Sequence, residues 1–340
     1  MNIYPLFSQN MIQKSNPMKL RNNLSQTTNL KSNDNGDTFS FTGAVPVTES
    51  VNPNTIGLKS STPTTDVVSI ITKENERVAP AVEKENEKIA EAVDTIVDSF
   101  NKDGKLYYFG AGTSGRLGVL DASECPPTFS VDPKMVNGII AGGDTAVTQA
   151  VEGAEDNFDA GKKDAKVLTE NDVAVVISAS GNPEYLMGVI EEAKKKGTKI
   201  VGVTCNPEAK IKDKVDTLIC PVVGPEVIAG SSRLKAGTAQ KMVLNTLTTA
   251  AMIKIGRFYQ GNMIYVSTTN EKLHKRAARI TSEITNQPIE ETKKVLEQNN
   301  WQVPVACLIL NYGLTPKEAK EALAKNKGNL EKAIDELENV

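Results

Sequence analysis

Residues 105–115 read KLYYFGAGTSG, and residues 173–181 read VAVVISASG. Each opens as an apolar run and breaks off into small residues, Gly110 to Gly115 in the first and Ser178 to Gly181 in the second. A short run with no polar alternation suits a strand covered on both faces, as in a parallel sheet flanked by helices. Working outward, NGIIA (137–141), KIVGVT (199–204) and the stretch 217–222 supply three further strands. Helical patterns separate them, one running from Gly143 through Ala150 and Ala154 and another ending at Lys196. The alternation predicts βαβ crossovers, hence an α/β fold with a doubly wound parallel sheet.

Helical spacing also frames the sheet. Apolar residues three and four apart between Asp66 and Phe100 predict two helices interrupted near Pro80. Thr238 to Ile255 predicts one long apolar helix. Beyond residue 285 the pattern changes to short helices over 288–298, 303–310 and 315–325, with a further turn over 329–337. Thr315, Pro316 and Glu318 form a capping box with proline at the first helical position. Residues 1–47, rich in Asn, Ser, Thr and Gln, read as a polar, disordered extension. The expected organisation is that extension, a sheet domain over 48–284, and a helical tail of ubiquitin-associated type over 285–340 that carries no chemistry.

Composition excludes several functions. A net charge of −3 without a basic block argues against nucleic acid as a partner. The apolar runs are too short for a membrane span, and the N-terminus lacks the apolar core of a secretory signal. Cys125, Cys205, Cys220 and Cys307 lie far apart with no CxxC pair, which fits a reducing cytoplasm and not a thiolate metal site. His274 is the one histidine, so a metal site built on several imidazoles is excluded by counting. Acid–base chemistry falls mainly to carboxylates, lysines and hydroxyls.

In an open parallel sheet, ligands bind at the carboxyl ends of the strands. Two such ends carry hydroxyl-bearing turns before helices, with Thr113 and Ser114 in the first and Ser178, Ser180 and Gly181 in the second. Amides at a helix N-terminus favour an anion, and two such loops on one sheet point to a phosphate. No GKS or GKT sequence supports a P-loop, and no acidic residue ends the second strand to hold a ribose. Ser231, Ser232, Arg233 and Lys235 gather hydroxyls and cations ahead of the long helix, either as an anion clamp or as an ordinary polar helix start. Glu124 is expected at a helix end in an irregular loop near the first phosphate turn. Glu152 and Glu155 are expected to share a helix face.

The segment FGAGTSGRLGVLDASECPPTF (109–129) resembles the N-acetylmuramic acid 6-phosphate etherases. So do AGGDTAVTQAVEGAEDN (141–157), VGPEVIAGSSRLKAGTAQKMVLN (223–245) and TNEKLHKR (269–276), in the same order. The similarity runs from about Thr48 to the C-terminus. Where that family usually has Arg-Thr-Pro-Tyr after the second serine turn, this chain has Asn182, Pro183, Glu184 and Tyr185. The resemblance implies a sugar-isomerase (SIS) fold, a sugar-phosphate substrate, a homodimer with sites near the subunit interface, and no metal or organic cofactor. It carries two catalytic glutamates onto Glu124 and Glu155. Glu124 would serve lactate departure and water addition, and Glu155 would be the second acid/base. His274 and the 231–235 cluster would join the serine turns in binding substrate. The alternative is a regulatory protein of the glucokinase-regulator kind, which senses sugar phosphates without turnover but carries two SIS domains. A sugar-phosphate isomerase on the same fold is a third reading.

Overall fold

The five apolar runs become strands β1 (Leu106–Gly110), β2 (Val136–Ile140), β3 (Val173–Ile177), β4 (Lys199–Val203) and β5 (Thr217–Ile219). They form one sheet in the order β2-β1-β3-β4-β5, with every neighbouring pair parallel. The structure, a computed structural model, describes residues 47–266 and 270–339. The extension expected over 1–47 therefore lies, up to residue 46, outside the described residues.

Three helices precede the sheet: α1 (Thr64–Asn75), α2 (Val78–Glu83) and α3 (Asn86–Asn101). The single break expected near Pro80 is instead two breaks, at residues 76–77 and 84–85. Pro80 sits in the first turn of α2, where an amide has no helical acceptor to lose. Helix α4 (Gly112–Phe129) follows β1, the short α5 (Thr145–Thr148) and α6 (Phe158–Asp164) follow β2, α7 (Glu184–Lys196) follows β3, and α8 (Lys235–Lys254) follows β5. A two-residue hairpin, β6 (Phe258–Tyr259) and β7 (Asn262–Met263), then leads to α9 (Glu271–Thr285), α10 (Ile289–Gln298), α11 (Val303–Tyr312), α12 (Pro316–Lys325) and α13 (Leu330–Glu338).

Both faces of the sheet are covered, which is why its strands lack polar alternation. Leu106, Tyr108, Val173, Val175 and Ile177 face a core shared with α2, α3, α4 and α8. Their sequence neighbours Tyr107, Phe109, Ala174 and Val176 face a second core built with α7. Helix α9 was not anticipated. Its Ala277, Ala278 and Ile280 share a third core with Leu296, Ala306, Leu308 and Leu330 of the tail helices. The capping box at Thr315 and Glu318 is formed as expected. No described helix is long and apolar enough to cross a membrane.

Two segments differ from the sequence reading where it matters for the site. The helix expected through Ala150 and Ala154 is absent. Gln149 is extended, residues Ala154–Asp156 form a 3-10 turn, and Asn157 caps α6 by accepting from the Ala160 amide at 2.9 Å. Glu152 and Glu155 therefore do not share a helix face. Glu124, expected in a loop, is an exposed residue inside α4. That helix continues through Pro126 and Pro127 although neither can donate an amide hydrogen bond.

Helix α4 lies against the sheet backbone to backbone. A β-carbon at Gly138 of β2 would stand 2.5 Å from Val119 Cα of α4. Gly138→Ala must therefore lift α4 from the sheet edge. We expect a loss of roughly 1–3 kcal/mol in urea unfolding, and an unchanged midpoint would contradict this contact.

Candidate functional site

Strands β1 and β3 are neighbours in the sheet but not in the chain. From β1 the chain passes to α4 on one face, and from β3 to α7 on the other. A crevice opens at such a switch point. The strands end level there, with Gly110 in register with both Ile140 and Ile177. A cleft of about 280 Å³ occupies this point. The start of α4 (Gly112, Thr113, Ser114) and the turn Ser178 to Ser180 form two of its walls.

Both walls offer neutral donors. The first amides of α4 have no helical acceptor, and the helix dipole adds to their pull on an anion. In the other wall, Ser178 Oγ accepts from the Gly181 amide at 3.0 Å and Ser180 Oγ accepts from the Asn182 amide at 3.3 Å. The two hydroxyl oxygens are 3.4 Å apart. Their hydrogens can satisfy at most one such mutual bond, which leaves at least one to point at a ligand. Gly181 itself adopts φ 69°, and a β-carbon there would fall 2.4 Å from that of Ala209. Only glycine closes this turn. Ser114 Oγ donates to Gln240 Oε1 of α8 at 2.9 Å, and the buried Gln240 Nε2 has no hydrogen-bond partner among the described residues.

The outer walls come from elsewhere in the chain. Glu155 enters from the 3-10 turn, Gly230 and Ser232 from the loop before α8, and Thr48 and Glu49 from the segment ahead of α1. A buried polar hub holds this leading segment down. Lys235 Nζ lies 2.5 Å from Glu74 Oε2, with both side chains almost wholly buried. Asn52 donates to the same Glu74 oxygen and to the Pro225 carbonyl, each at 3.0 Å, and Asn54 donates to the other oxygen at 2.8 Å. Thr48 is itself tied to the far wall, its carbonyl accepting from the Gly230 amide at 3.3 Å. Burial would raise the Glu74 carboxyl, but the Lys235 ammonium and the two asparagine amides bonded to it hold it at about 2.

The expected site residues divide accordingly. Thr113, Ser114, Ser178, Ser180 and Ser232 line the cleft with Glu155, and Gly181 closes its turn. Lys235 does not belong to an anion clamp, because its ammonium is buried against Glu74. Ser231 and exposed Arg233 lie outside the lining. His274 is on α9, stacked on Trp301 with ring centroids 3.8 Å apart, and does not line the cleft either. Glu124 lies twelve residues into α4, about 18 Å along its axis from Gly112. One chain does not bring Glu124 and Glu155 together.

Relatives give this geometry a family. Residues 88–194 match the family described as glucokinase regulatory protein N-terminal SIS domain, and residues 149–250 match the SIS domain. An N-acetylmuramic acid 6-phosphate etherase of Clostridium botulinum is 48% identical over 293 residues, covering 86% of this chain and 97% of its own. The chain belongs to the N-acetylmuramic acid 6-phosphate etherase family. Other etherases of that name are similar to it: one from Bacillus licheniformis is 46% identical over 80% of this chain and 90% of its own, and one from Vibrio campbellii 47% over 85% and 94%. The SIS fold expected from the motifs is thereby established.

Sequence reasoning missed the leading segment in this etherase-family chain. Thr48 and Glu49 carry no periodic or motif signal, and the buried pairing of Lys235 with Glu74 spans 161 positions. The pairing has a measurable signature. Because the folded carboxyl is depressed, its stabilisation is present above the ordinary carboxylate range of about 4.3 and is lost as pH falls toward 2. Lys235→Met strands a buried charge and should cost about 3–5 kcal/mol at pH 7. Adding Glu74→Gln should recover most of that loss in urea unfolding, whereas additive losses would show that the two side chains are not coupled.

Proposed function

We propose that this chain cleaves the D-lactyl ether of N-acetylmuramic acid 6-phosphate, giving N-acetylglucosamine 6-phosphate and D-lactate. The observation that carries the reading is the switch-point cleft itself, with neutral phosphate donors on two walls and the carboxylate of Glu155 on a third. The hydroxyls of Thr113, Ser178, Ser180 and Ser232 and the first amides of α4, Ser114 among them, bind the 6-phosphate, while Gly181 shapes the second turn through its bond to Ser178. Direct displacement at an ether is slow because alkoxide leaves poorly. With the sugar ring open, the C1 aldehyde acidifies the proton on C2. A carboxylate takes that proton, the C3–O bond breaks, and its electron pair leaves with lactate as a carboxylic acid protonates the ether oxygen. Water then adds across the unsaturated aldehyde, oxygen to C3 and hydrogen to C2, which restores the sugar and the starting protonation states.

Two carboxyl groups are needed; Glu49 and Glu155 line the cleft, but Glu124, the second glutamate that the family resemblance carries over, does not. We assign the second role to Glu124 of another copy, so that the working unit is a homodimer with its sites at the interface. Within each copy, the sheet with α1 to α8 forms the sugar-phosphate unit, and α9, which the expected boundary at residue 284 left with the sheet, packs instead with the helical tail of 285–340. The free thiols of Cys125, Cys205, Cys220 and Cys307 suit a reducing cytoplasm. The alternative expected from the sequence, sensing without turnover, gains no support from the relatives described above, which are named etherases.

Turnover separates the two. The purified full chain with N-acetylmuramic acid 6-phosphate should release D-lactate, and in deuterated, heavy-oxygen water the sugar product should carry deuterium at C2 and heavy oxygen at C3. Binding without release would support the sensor. Glu124→Gln and Glu155→Gln should each lose about 10²–10⁴-fold in activity. Co-expressed and randomly mixed, they should recover about a quarter of wild-type activity, because half the dimers are mixed and each mixed dimer holds one intact site. No recovery would place both glutamates in one chain.

A further inference from the structure

A second cavity, of about 240 Å³, adjoins the cleft and shares Ala111, Gly112 and Glu155 with it. Its character differs. Small residues such as Ala141, Ala146 and Gly153 make much of its wall, and Arg116 enters from α4 one turn beyond Gly112, on the same helix face. Among the described residues lining either cavity, Arg116 is the one lysine or arginine. The acidic lining residues are Glu49, Glu152 and Glu155.

The guanidinium is held in place. Its Nε donates to the Val147 carbonyl at 2.9 Å and Nη2 to the Gln149 carbonyl at 3.1 Å. These bonds use two of the five donors of a guanidinium and leave an edge free for an oxyanion. Its rotamer is fixed before any ligand arrives, so little side-chain entropy is lost on binding.

We infer that this second cavity receives the D-lactyl arm of the substrate, with Arg116 pairing to the lactyl carboxylate; the inference rests on the etherase reading above. That substrate carries two anions. The phosphate has its place among the neutral donors of the cleft. The carboxylate needs a cation, because Glu152 and Glu155 would otherwise repel it, and Arg116 is the cation present. Glu155, common to both cavities, then stands between the two anions, where the C2–C3 segment of the sugar must lie. The same pairing distinguishes substrate from product, since N-acetylglucosamine 6-phosphate has no arm and leaves Arg116 unpaired. Arg116 is thus a specificity-determining residue.

The test compares N-acetylmuramic acid 6-phosphate with an analogue whose lactyl carboxylate is a primary carboxamide, using the full chain and Arg116→Gln. Wild type should prefer the carboxylate by roughly 10- to 100-fold in kcat/KM, the worth of one hydrogen-bonded charge pair. Arg116→Gln should lose that factor on the carboxylate, change little on the carboxamide, and keep its inhibition constant for N-acetylglucosamine 6-phosphate. Equal losses on both substrates, or a product inhibition constant that rises with them, would mean that Arg116 only holds the 147–149 loop, and would overturn the inference. If Arg116→Gln does not fold, Arg116→Lys takes its place and must retain part of the carboxylate preference. Wild-type protein that cleaves neither compound removes the etherase reading and this inference with it. Cleavage with equal losses removes this inference alone.

Discussion

The close seating of α4 on the sheet is the constraint from which the rest follows. It is made by absence of side chain at Gly138 and by polar contacts on the helix's inner side. Asp121, buried in α4, accepts from the Tyr108 hydroxyl of β1 at 2.8 Å and from Asn245 and Thr248 of α8 at 2.7 and 3.2 Å. A buried carboxylate with this many donors is satisfied where an unpaired one would be costly. Ser114 adds a second tie to α8 one level higher, through Gln240. Pinned at two heights between sheet and α8, the helix cannot rotate. The direction in which Thr113 and Arg116 leave it, and the distance at which Glu124 emerges, are therefore set by the core.

The leading segment illustrates the same logic from outside. Thr48 and Glu49 belong to the cleft wall, yet nothing in their immediate neighbourhood makes a regular element beyond the three residues Val47–Glu49. Their position depends on Asn52 and Asn54 gripping Glu74, and Glu74 is there because Lys235 neutralises it. Lys235 in turn begins α8, whose first amides, on Lys235 and Ala236, are accepted by the buried Glu226 carboxylate at 3.0 and 2.9 Å. A carboxylate is favourable at a helix N-terminus, where the dipole is positive. The start of α8 is thus a junction of two buried carboxylates and one ammonium that fixes a wall of the site.

The sheet was legible because burial on both faces leaves a direct trace, an apolar run with no alternation. The two serine turns were legible because strand, small residues and helix follow one another within a few positions. What could not be read were features set by distant contacts. The region around Glu155 has enough Ala and Val to suggest a helix, but extended Gln149 and the Asn157 cap divide it. Prolines 126 and 127 suggested a helix end, yet packing of Ala122, Cys125 and Phe129 into the core carries α4 through them. Lys235 resembled a ligand because a cation next to serines reads the same whether it faces solvent, an anion or a buried glutamate. Only the fold shows that Glu74 was waiting for it.

Charge explains why the site takes this form. The chain is slightly acidic, and the catalytic groups proposed for it are carboxylates, which would repel a phosphate in the same cleft. Lining the phosphate end with lysines would invite those cations to pair with the glutamates and quench them. Amides and hydroxyls avoid this, because they bind an anion without carrying a charge that a carboxylate can neutralise. Among the described residues lining the two cavities, the one lysine or arginine, Arg116, is anchored on the Val147 and Gln149 carbonyls and so held in a fixed orientation. The arrangement also keeps Glu124 about 18 Å along α4 from Gly112, where that helix meets the cleft. Two walls built of neutral donors would then leave the cleft able to accept a second carboxyl group from outside, as the proposed site shared between two copies requires.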